Sequence, residues 1–176
     1  AESLHALGLG EVRLKWPNDL VVEGRRPGSS RGQALRKLGG LLVEGSGENA
    51  GPVRAVIGLG LNVRMPAAHG RAIDQPWIDL AAMAGDALPS RNVVAAALLA
   101  ALLPALDRFD REGLPGFLSR HAGLDALAGR DIVLHGGDGD RSGTALGLAP
   151  DGALRVRLAD GREQAFHAGE VSVRPR

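Results

Sequence analysis

From about Gly129 to its end, the sequence consists of short alternating stretches separated by tight turns. Polar and apolar residues alternate over 131–135, 143–148, 154–158 and 171–174, with Gly-Gly, Asp-Gly and Pro-Asp-Gly turns between them. A period of two is typical of half-buried strands, and glycine-rich segments of this kind are typical of tight turns between them. Four or five short strands in such a segment predict a small β-barrel, SH3-like in architecture.

The preceding part of the chain mixes strand and helix patterns. Strands are predicted by alternation or by apolar runs between turn residues, over 12–16, 20–23, 41–44 and 53–61. A helical pattern follows from Trp77 to about His121, after a loop over 64–76. We therefore predict an α+β domain over residues 1–127 and a separate barrel over residues 128–176.

The longest apolar run, Val93 to Leu106, predicts a buried helix. Ser90 is placed to cap its first turn, and Pro104 is expected to kink or divide it. The run is shorter than the roughly 20 residues that a membrane-spanning helix needs, so we expect no membrane contact.

Composition excludes several classes of function. Cysteine is absent, which excludes thiol catalysis, cysteine-based zinc sites and disulfides. With 21 basic and 20 acidic residues the net charge is +1, which gives no indication of nucleic-acid binding. The five histidines show no metal-ligand spacing. Residues 1–5 carry no signal-peptide pattern, so we expect a cytoplasmic protein.

Only two of the 21 basic residues are lysines, Lys15 and Lys37. Lysine offers a compact charge with three donors, which arginine does not. Lys15 opens the segment KWPND, in which Pro17 ends a strand and leaves Asn18 and Asp19 at its tip. These two residues either face a site or form an ordinary Asx turn.

Lys37 follows an arginine- and glycine-rich segment, 24–36, and precedes Gly39 and Gly40. A lysine beside glycines can present its ammonium to an anion while the backbone approaches closely, although the spacing is not that of a Walker A loop. The alternative is a solvated surface charge. The segment 24–36 either grips ATP or a partner, or is a solvated insertion.

The segment GLGLN contains Gly58, Gly60 and Asn62 at the end of a predicted strand. The third glycine and following helix of a dinucleotide fingerprint are missing. The glycines can keep side chains out of a site in which Asn62 contacts a flat polar ligand such as a base edge. A bulged strand with a capping asparagine is the alternative.

In this order and at these separations, the segments KWPND, KLGGLLVE and IGLGLNV resemble consecutive motifs of the biotin protein ligases. The segment 169–172, GEVS, resembles the end of that family's SH3-like domain. The resemblance implies a catalytic domain related to class II aminoacyl-tRNA synthetases. It also implies a two-step reaction: biotin and ATP form biotinyl-5′-AMP, usually with Mg²⁺, and a lysine of a biotin acceptor domain then attacks the adenylate.

The resemblance also implies roles for particular residues. Lys37 would contact the biotin carboxylate and the adenylate phosphate, and Asn62 would bind adenine. Asp19 would lie near the phosphates, bind Mg²⁺ and orient the incoming lysine, so Lys37 and Asp19 are the expected catalytic residues. Trp77 would stand beside an adenylate-binding loop over 64–76. The expected substrate-binding residues are Lys15, Asn18, Lys37, Gly39, Gly40, Gly58, Gly60, Asn62, Trp77, Glu170 and Arg174.

The sequence also departs from the family pattern. The Gly-Arg-Gly-Arg-type loop that wraps biotin and phosphate precedes KWPND in the family, and residues 1–14 contain nothing similar. We therefore expect a C-terminal fragment of a longer ligase, and we expect this fragment to be inactive alone. The sequence does not decide whether the protein forms a homodimer. A non-catalytic biotin-responsive regulator or binding module of the same fold is the alternative. KWPND argues against a lipoate ligase.

Overall fold

Two antiparallel sheets, each with its own apolar core, organise the chain. The computed structural model describes residues 1–25, 33–47, 53–70, 72–137 and 139–175. The first sheet has four strands and lies in the N-terminal part, and the second has five and lies in the C-terminal part.

The first sheet is a meander in the order β1-β2-β3-β4. Its strands are β1 (Val12–Lys15), β2 (Asp19–Arg25), β3 (Gln33–Gly47) and β4 (Val53–Leu61). The prediction that β3 begins at residue 41 is wrong, because Lys37 and its glycines already pair with β2. Of the predicted loop 24–36, the ends therefore belong to strands, and residues 26–32 lie outside the described residues.

Five α-helices accompany the first sheet in the described part of the chain. They are α1 (Glu2–Ala6), α2 (Ala67–Gly70), α3 (Leu80–Ala84), α4 (Arg91–Glu112) and α5 (Pro115–Leu124). The first core joins α1, the sheet, α3 and α4 through Leu4, Val22, Leu38, Leu80 and Val94. The predicted loop over 64–76 contains α2, and the predicted helical start at Trp77 is wrong, since Trp77 pairs with the backbone of Lys37.

The expectation of a buried helix at Val93–Leu106 is wrong. Val94 is the buried residue of α4, whereas Leu99 and Leu103 are 56% and 60% exposed. Pro104 does not divide the helix. Its missing N–H removes one hydrogen bond of the helix, but α4 continues beyond it to Glu112. At 22 residues α4 is also long and apolar enough to span a bilayer. A single helix of this kind is weak evidence for a membrane span. In this structure Val94 and Leu98 of α4 pack on the first core.

The second sheet has the strand order β8-β7-β6-β5-β9. Its strands are β5 (Asp131–Gly136), β6 (Gly139–Leu148), β7 (Leu154–Leu158), β8 (Glu163–Phe166) and β9 (Val171–Pro175). All five strands contribute to one core through Ile132, Ala145, Leu154, Phe166 and Val173. A single sheet whose strands share one core must curve around it, which agrees with the predicted SH3-like barrel.

Trp16 connects the two sheets. Its ring is 4% exposed and packs in the core of the barrel, although the residue belongs to the turn between β1 and β2. The indole Nε1 donates to the carbonyl oxygen of Gly152 at 3.1 Å. Gly152 has a φ of +87°, which favours glycine, and its turn leads into β7. The turn that carries Asn18 and leads into Asp19 is therefore fixed to the barrel.

Candidate functional site

An open cleft of about 760 Å³ lies on the first sheet, where β3 and β4 face the segment around Trp77. Glycines of both strands form part of its lining: Gly39 and Gly40 from β3, Gly58 and Gly60 from β4. A Cβ on Gly39 would lie 2.3 Å from the carbonyl oxygen of Gly60, so no larger residue fits there. A Cβ on Gly60 would meet nothing closer than 3.9 Å, so a larger side chain there would take up ligand space.

Lys37 stands at the edge of the cleft because the chain around Trp77 pairs with it. The Lys37 N–H donates to the carbonyl of Pro76 at 2.8 Å, and the Ile78 N–H donates to the carbonyl of Lys37 at 3.0 Å. The amide Nδ2 of Asn62 donates to the carbonyls of Ile78 and Lys37, at 3.1 and 3.3 Å. Three predicted site residues, Lys37, Asn62 and Trp77, are thus brought together and line one cleft.

Trp77 is half-buried, and its indole Nε1 donates to the carbonyl of Gly70 at 3.0 Å. The ring packs so closely on Gly70 that a Cβ there would clash with it. Asp79 fixes the other end of this segment: one oxygen accepts from the Met65 N–H at 2.7 Å, the other from the Ala82 N–H at 2.8 Å. Met65 and Asp79 are therefore held together, and Gly70 and Trp77 contact each other between them.

Asn18 lines the cleft from the turn between β1 and β2. Its Nδ2 donates to the carbonyl of Leu41 at 2.6 Å, and its own carbonyl accepts from the Leu41 N–H at 2.9 Å. Asn18 therefore bonds across to β3 and fixes the tip of the turn against that strand.

Asp19 lies between the two lysines of the chain. Its Oδ1 is 2.5 Å from Nζ of Lys37, and its Oδ2 is 3.1 Å from Nζ of Lys15. Burial raises the pKa of Asp19, but the hydrogen bonds and charges of Lys37 and Lys15 lower it further, so the net pKa is below its ordinary value. Asp19 is therefore a carboxylate held between two ammonium groups.

The surroundings of Asp19 do not favour a metal ion in this structure. Each of its oxygens accepts from an ammonium group, and these two positive charges oppose the approach of a further cation. Among the described residues, no three His, Cys, Asp or Glu side chains are grouped as metal ligands. The magnesium role expected for Asp19 therefore stays a prediction.

A second cavity, of about 280 Å³, lies between the first sheet and β9. Lys15, Asp19 and Lys37 line it together with Arg174, which donates from Nη1 to Oε1 of Gln75 at 3.4 Å. Glu170 lies elsewhere: it accepts from the His167 N–H at 2.8 Å and lines a groove of the barrel. Of the two C-terminal residues predicted for the site, the structure brings Arg174 alone to it.

Sequence reasoning missed three residues that build this site: Trp16, Gln75 and Asp79. Trp16 could have been suspected because it is one of two tryptophans and lies inside KWPND. Asp79 had the signal of a helix cap, since it directly precedes the apolar start of α3. Gln75 carried no signal, because its partner Arg174 is 99 residues away in sequence.

Comparison with known proteins gives relatives for the whole chain. Residues 128–174 match the family model described as biotin protein ligase C terminal domain. The chain is 38% identical over 174 residues to the bifunctional ligase/repressor BirA of Escherichia coli K12. It is 27% identical over 178 residues to the biotin–[acetyl-CoA-carboxylase] ligase of Paracoccus denitrificans.

These relatives are longer than the chain. The alignment covers 99% of this chain but 50% of the Escherichia coli protein, so the chain spans about half the length of that relative. For the Paracoccus protein the shares are 94% and 67%.

Solved structures give the same fold. Biotin protein ligase from Aquifex aeolicus in complex with biotin and ATP superposes with a TM-score of 0.77 at 22% identity, over 99% of this chain and 67% of that one. The apo structure of the Aquifex protein gives a TM-score of 0.75. Residues 128–174 are therefore similar to the biotin protein ligase C-terminal domain, and the chain as a whole is similar in sequence and fold to part of the biotin protein ligases.

Proposed function

We propose that this chain is the C-terminal part of an ATP-dependent ligase that joins biotin to a specific lysine of a biotin acceptor domain. The observation that carries the proposal is the cleft on the first sheet, where the Lys37 ammonium, a glycine lining, Asn62 and Trp77 face one opening. Such a cleft suits a ligand with a flat polar ring system and an anionic centre.

In the first step, an oxygen of the biotin carboxylate attacks the α-phosphorus of ATP, and pyrophosphate leaves. Two anions must approach each other, so a cation between them lowers the barrier. Lys37 is the residue proposed for this role, since its side chain is 37% exposed and lies at the cleft. In the second step, the acceptor lysine amine attacks the biotinyl carbonyl and AMP leaves.

Asn62 and Trp77 are proposed to hold the adenylate. The Nδ2 of Asn62 is engaged with backbone carbonyls, so its Oδ1 is the atom that would accept from the adenine amino group. Trp77 and its neighbours Ile73 and Gln75 line the cleft. There they would exclude water from the bound adenylate, an anhydride that water hydrolyses.

The remaining expectations belong to the same proposal. The domain over residues 1–127 is proposed to be part of a class II synthetase-like catalytic domain. Mg²⁺ would enter with the ATP phosphates, because Asp19 is engaged by two lysines. The acceptor is proposed to be a biotin carboxyl carrier domain, in the cytoplasm, and a homodimer stays open.

Transfer of labelled biotin to an acceptor domain, with ATP and Mg²⁺, tests the proposal. The assay compares this chain alone with the chain fused behind the N-terminal part of the Escherichia coli relative. We expect transfer by the fusion and none by the chain alone, and a fusion carrying Lys37→Ala serves as the matched control. Biotin binding without transfer by the fusion would instead favour the non-catalytic regulator.

A further inference from the structure

The two lysines beside Asp19 are placed very differently. The side chain of Lys15 is 10% exposed, and its ammonium meets Oδ2 of Asp19 from the side of the smaller cavity. The side chain of Lys37 is 37% exposed and lines the larger cleft as well. Lys15 is not among the described residues that line that cleft, so it is poorly placed to touch a ligand there.

Asp19 competes with any anionic ligand for Lys37. At 2.5 Å, the pair between Oδ1 and the Lys37 ammonium is short, and the carboxylate is 14% exposed. If Lys37 turned toward a ligand, Asp19 would be left as a nearly buried charge, which is costly without a partner. Lys15 prevents this cost because it stays on the other carboxylate oxygen.

We propose that Lys15 is a positioning residue: it keeps Asp19 neutralised, so that Lys37 can exchange its ion pair with Asp19 for one with an anionic ligand in the cleft. The inference rests on the proposed function for the nature of that anion, a carboxylate or phosphate. It replaces the expectation that Lys15 itself binds substrate.

The energetic argument concerns a difference between two states. With Lys15 present, Asp19 keeps a charge-assisted hydrogen bond after Lys37 has left, so the exchange loses one of two such bonds. Without Lys15, the exchange loses the last bond of a buried carboxylate. Losing the last charge-assisted hydrogen bond of a buried carboxylate should lower the affinity for the anion about tenfold or more.

Lysine NMR on this chain provides the test, because labelled lysine gives one signal for Lys15 and one for Lys37. AMP is the probe. In the parent chain we expect AMP to shift the Lys37 signal and leave the Lys15 signal nearly unchanged. Lys15→Met should weaken AMP binding about tenfold or more, and Lys15→Arg, which keeps the charge, should weaken it less.

The double variant Lys15→Met, Asp19→Asn separates positioning from packing. Once the carboxylate is neutral it no longer holds Lys37, so AMP affinity should return to within a few-fold of the parent. If Lys15 merely supports the fold, the double variant will bind no better than Lys15→Met. That result, unchanged AMP affinity in Lys15→Met, or no Lys37 shift in the parent would each overturn the inference.

The biotin-transfer assay keeps the two proposals apart. If the fusion transfers biotin and the lysine variants bind AMP alike, the role of Lys15 is wrong and the ligase function stands. If transfer fails but the double variant restores AMP binding, the exchange at Asp19 stands and the ligase function is wrong.

Discussion

The barrel and the four-stranded sheet differ in how completely this chain covers their apolar side chains. In the barrel, Ile132, Leu154 and Val156 are fully buried. The large apolar side chains that are exposed in the described residues all lie outside it: Leu42, Val43, Val56, Leu59, Val93, Leu99, Leu103, Leu106 and Phe109. The exposed apolar side chains of this chain are thus concentrated on the β3–β4 hairpin and on α4.

The outer part of the β3–β4 hairpin shows the contrast most clearly. Leu42 and Val43 are consecutive strand residues, so they point to opposite faces of the sheet, yet they are 62% and 60% exposed. The Escherichia coli relative is about twice as long as this chain. We expect that remaining length to cover the hairpin and α4. The barrel core is thus covered within this chain, whereas the cleft lies beside apolar side chains, such as Leu42 and Leu59, that the chain leaves exposed.

The largest expected effect contrasts one leucine from each region. Leu154→Ala removes a fully buried side chain from the barrel core and should lower the free energy of unfolding by about 2–5 kcal/mol. Leu42→Ala should change it by no more than about 0.5 kcal/mol in this chain, because the side chain is exposed. Urea unfolding of both variants measures the difference.

Urea unfolding of the same two variants in the fusion tests whether the added part covers the hairpin. If the added part covers the hairpin, Leu42→Ala becomes costly there, while the effect of Leu154→Ala stays the same. A Leu42→Ala variant that is neutral in the fusion as well would contradict the view that this surface is covered.

The next prediction concerns the chemistry at the cleft on the first sheet. Lys37→Ala should reduce biotinyl-adenylate formation by the fusion about a hundredfold to a thousandfold, since it removes the cation from a site where anions meet. Pyrophosphate release measures this step. The control is Arg157→Ala, an exposed cation of the barrel. Near-normal pyrophosphate release by Lys37→Ala would show that the assigned role is wrong.

A smaller effect is expected at the connection between the two regions. Trp16→Phe keeps an aromatic ring in the barrel core but removes the hydrogen bond to the Gly152 carbonyl. The free energy of unfolding should fall by about 1 kcal/mol. AMP affinity should fall with it, because the turn that carries Asn18 loses its hydrogen bond to the barrel and is held there by ring packing alone. A loss of stability with unchanged affinity would show that the barrel does not position the site.

Much of this arrangement was predictable because local patterns determine it. The alternation and turns after Gly129 predicted the barrel, and the segments KLGG and GLGLN, singled out as candidate site segments, both line the cleft. Ser90 does cap α4, as expected from its position. The relation to the biotin protein ligases, inferred from three motifs, is confirmed.

Other features could not be read from the sequence, because they depend on distant parts of the chain. An apolar run indicates that the side chains of a helix favour burial, but it does not show whether other parts of this chain bury them. The burial predicted for α4 was wrong for this reason. Pairing with the chain at 76–78 places Lys37 in a strand beside the cleft. The insertion of Trp16 into the barrel core joins residues more than a hundred positions apart.

The smallest expected effect is a pH dependence that distinguishes the carboxylates of the two regions. The pKa of Asp19 is lowered in the folded chain, despite its burial, by Lys37 and Lys15. A lowered pKa means that the folded state binds the proton less readily than the unfolded state does. The ion pairs therefore stabilise the fold above the ordinary pKa of 3.8, and this contribution is lost as the pH falls below that value.

Asp160 in the barrel also has a lowered pKa, through its hydrogen bond with Arg162, but it is fully exposed, and solvent screens such a pair. Urea unfolding from about pH 6 to pH 3 should show Asp19→Asn less stable than the parent at the upper end, with the gap narrowing toward acid. Asp160→Asn should follow the parent throughout. If the difference in the free energy of unfolding between the parent and Asp19→Asn stays constant over this range, the loss of stability comes from packing or hydrogen bonding and not from the charge. The contrast between a buried ionic site and a solvated barrel surface would then rest on geometry alone.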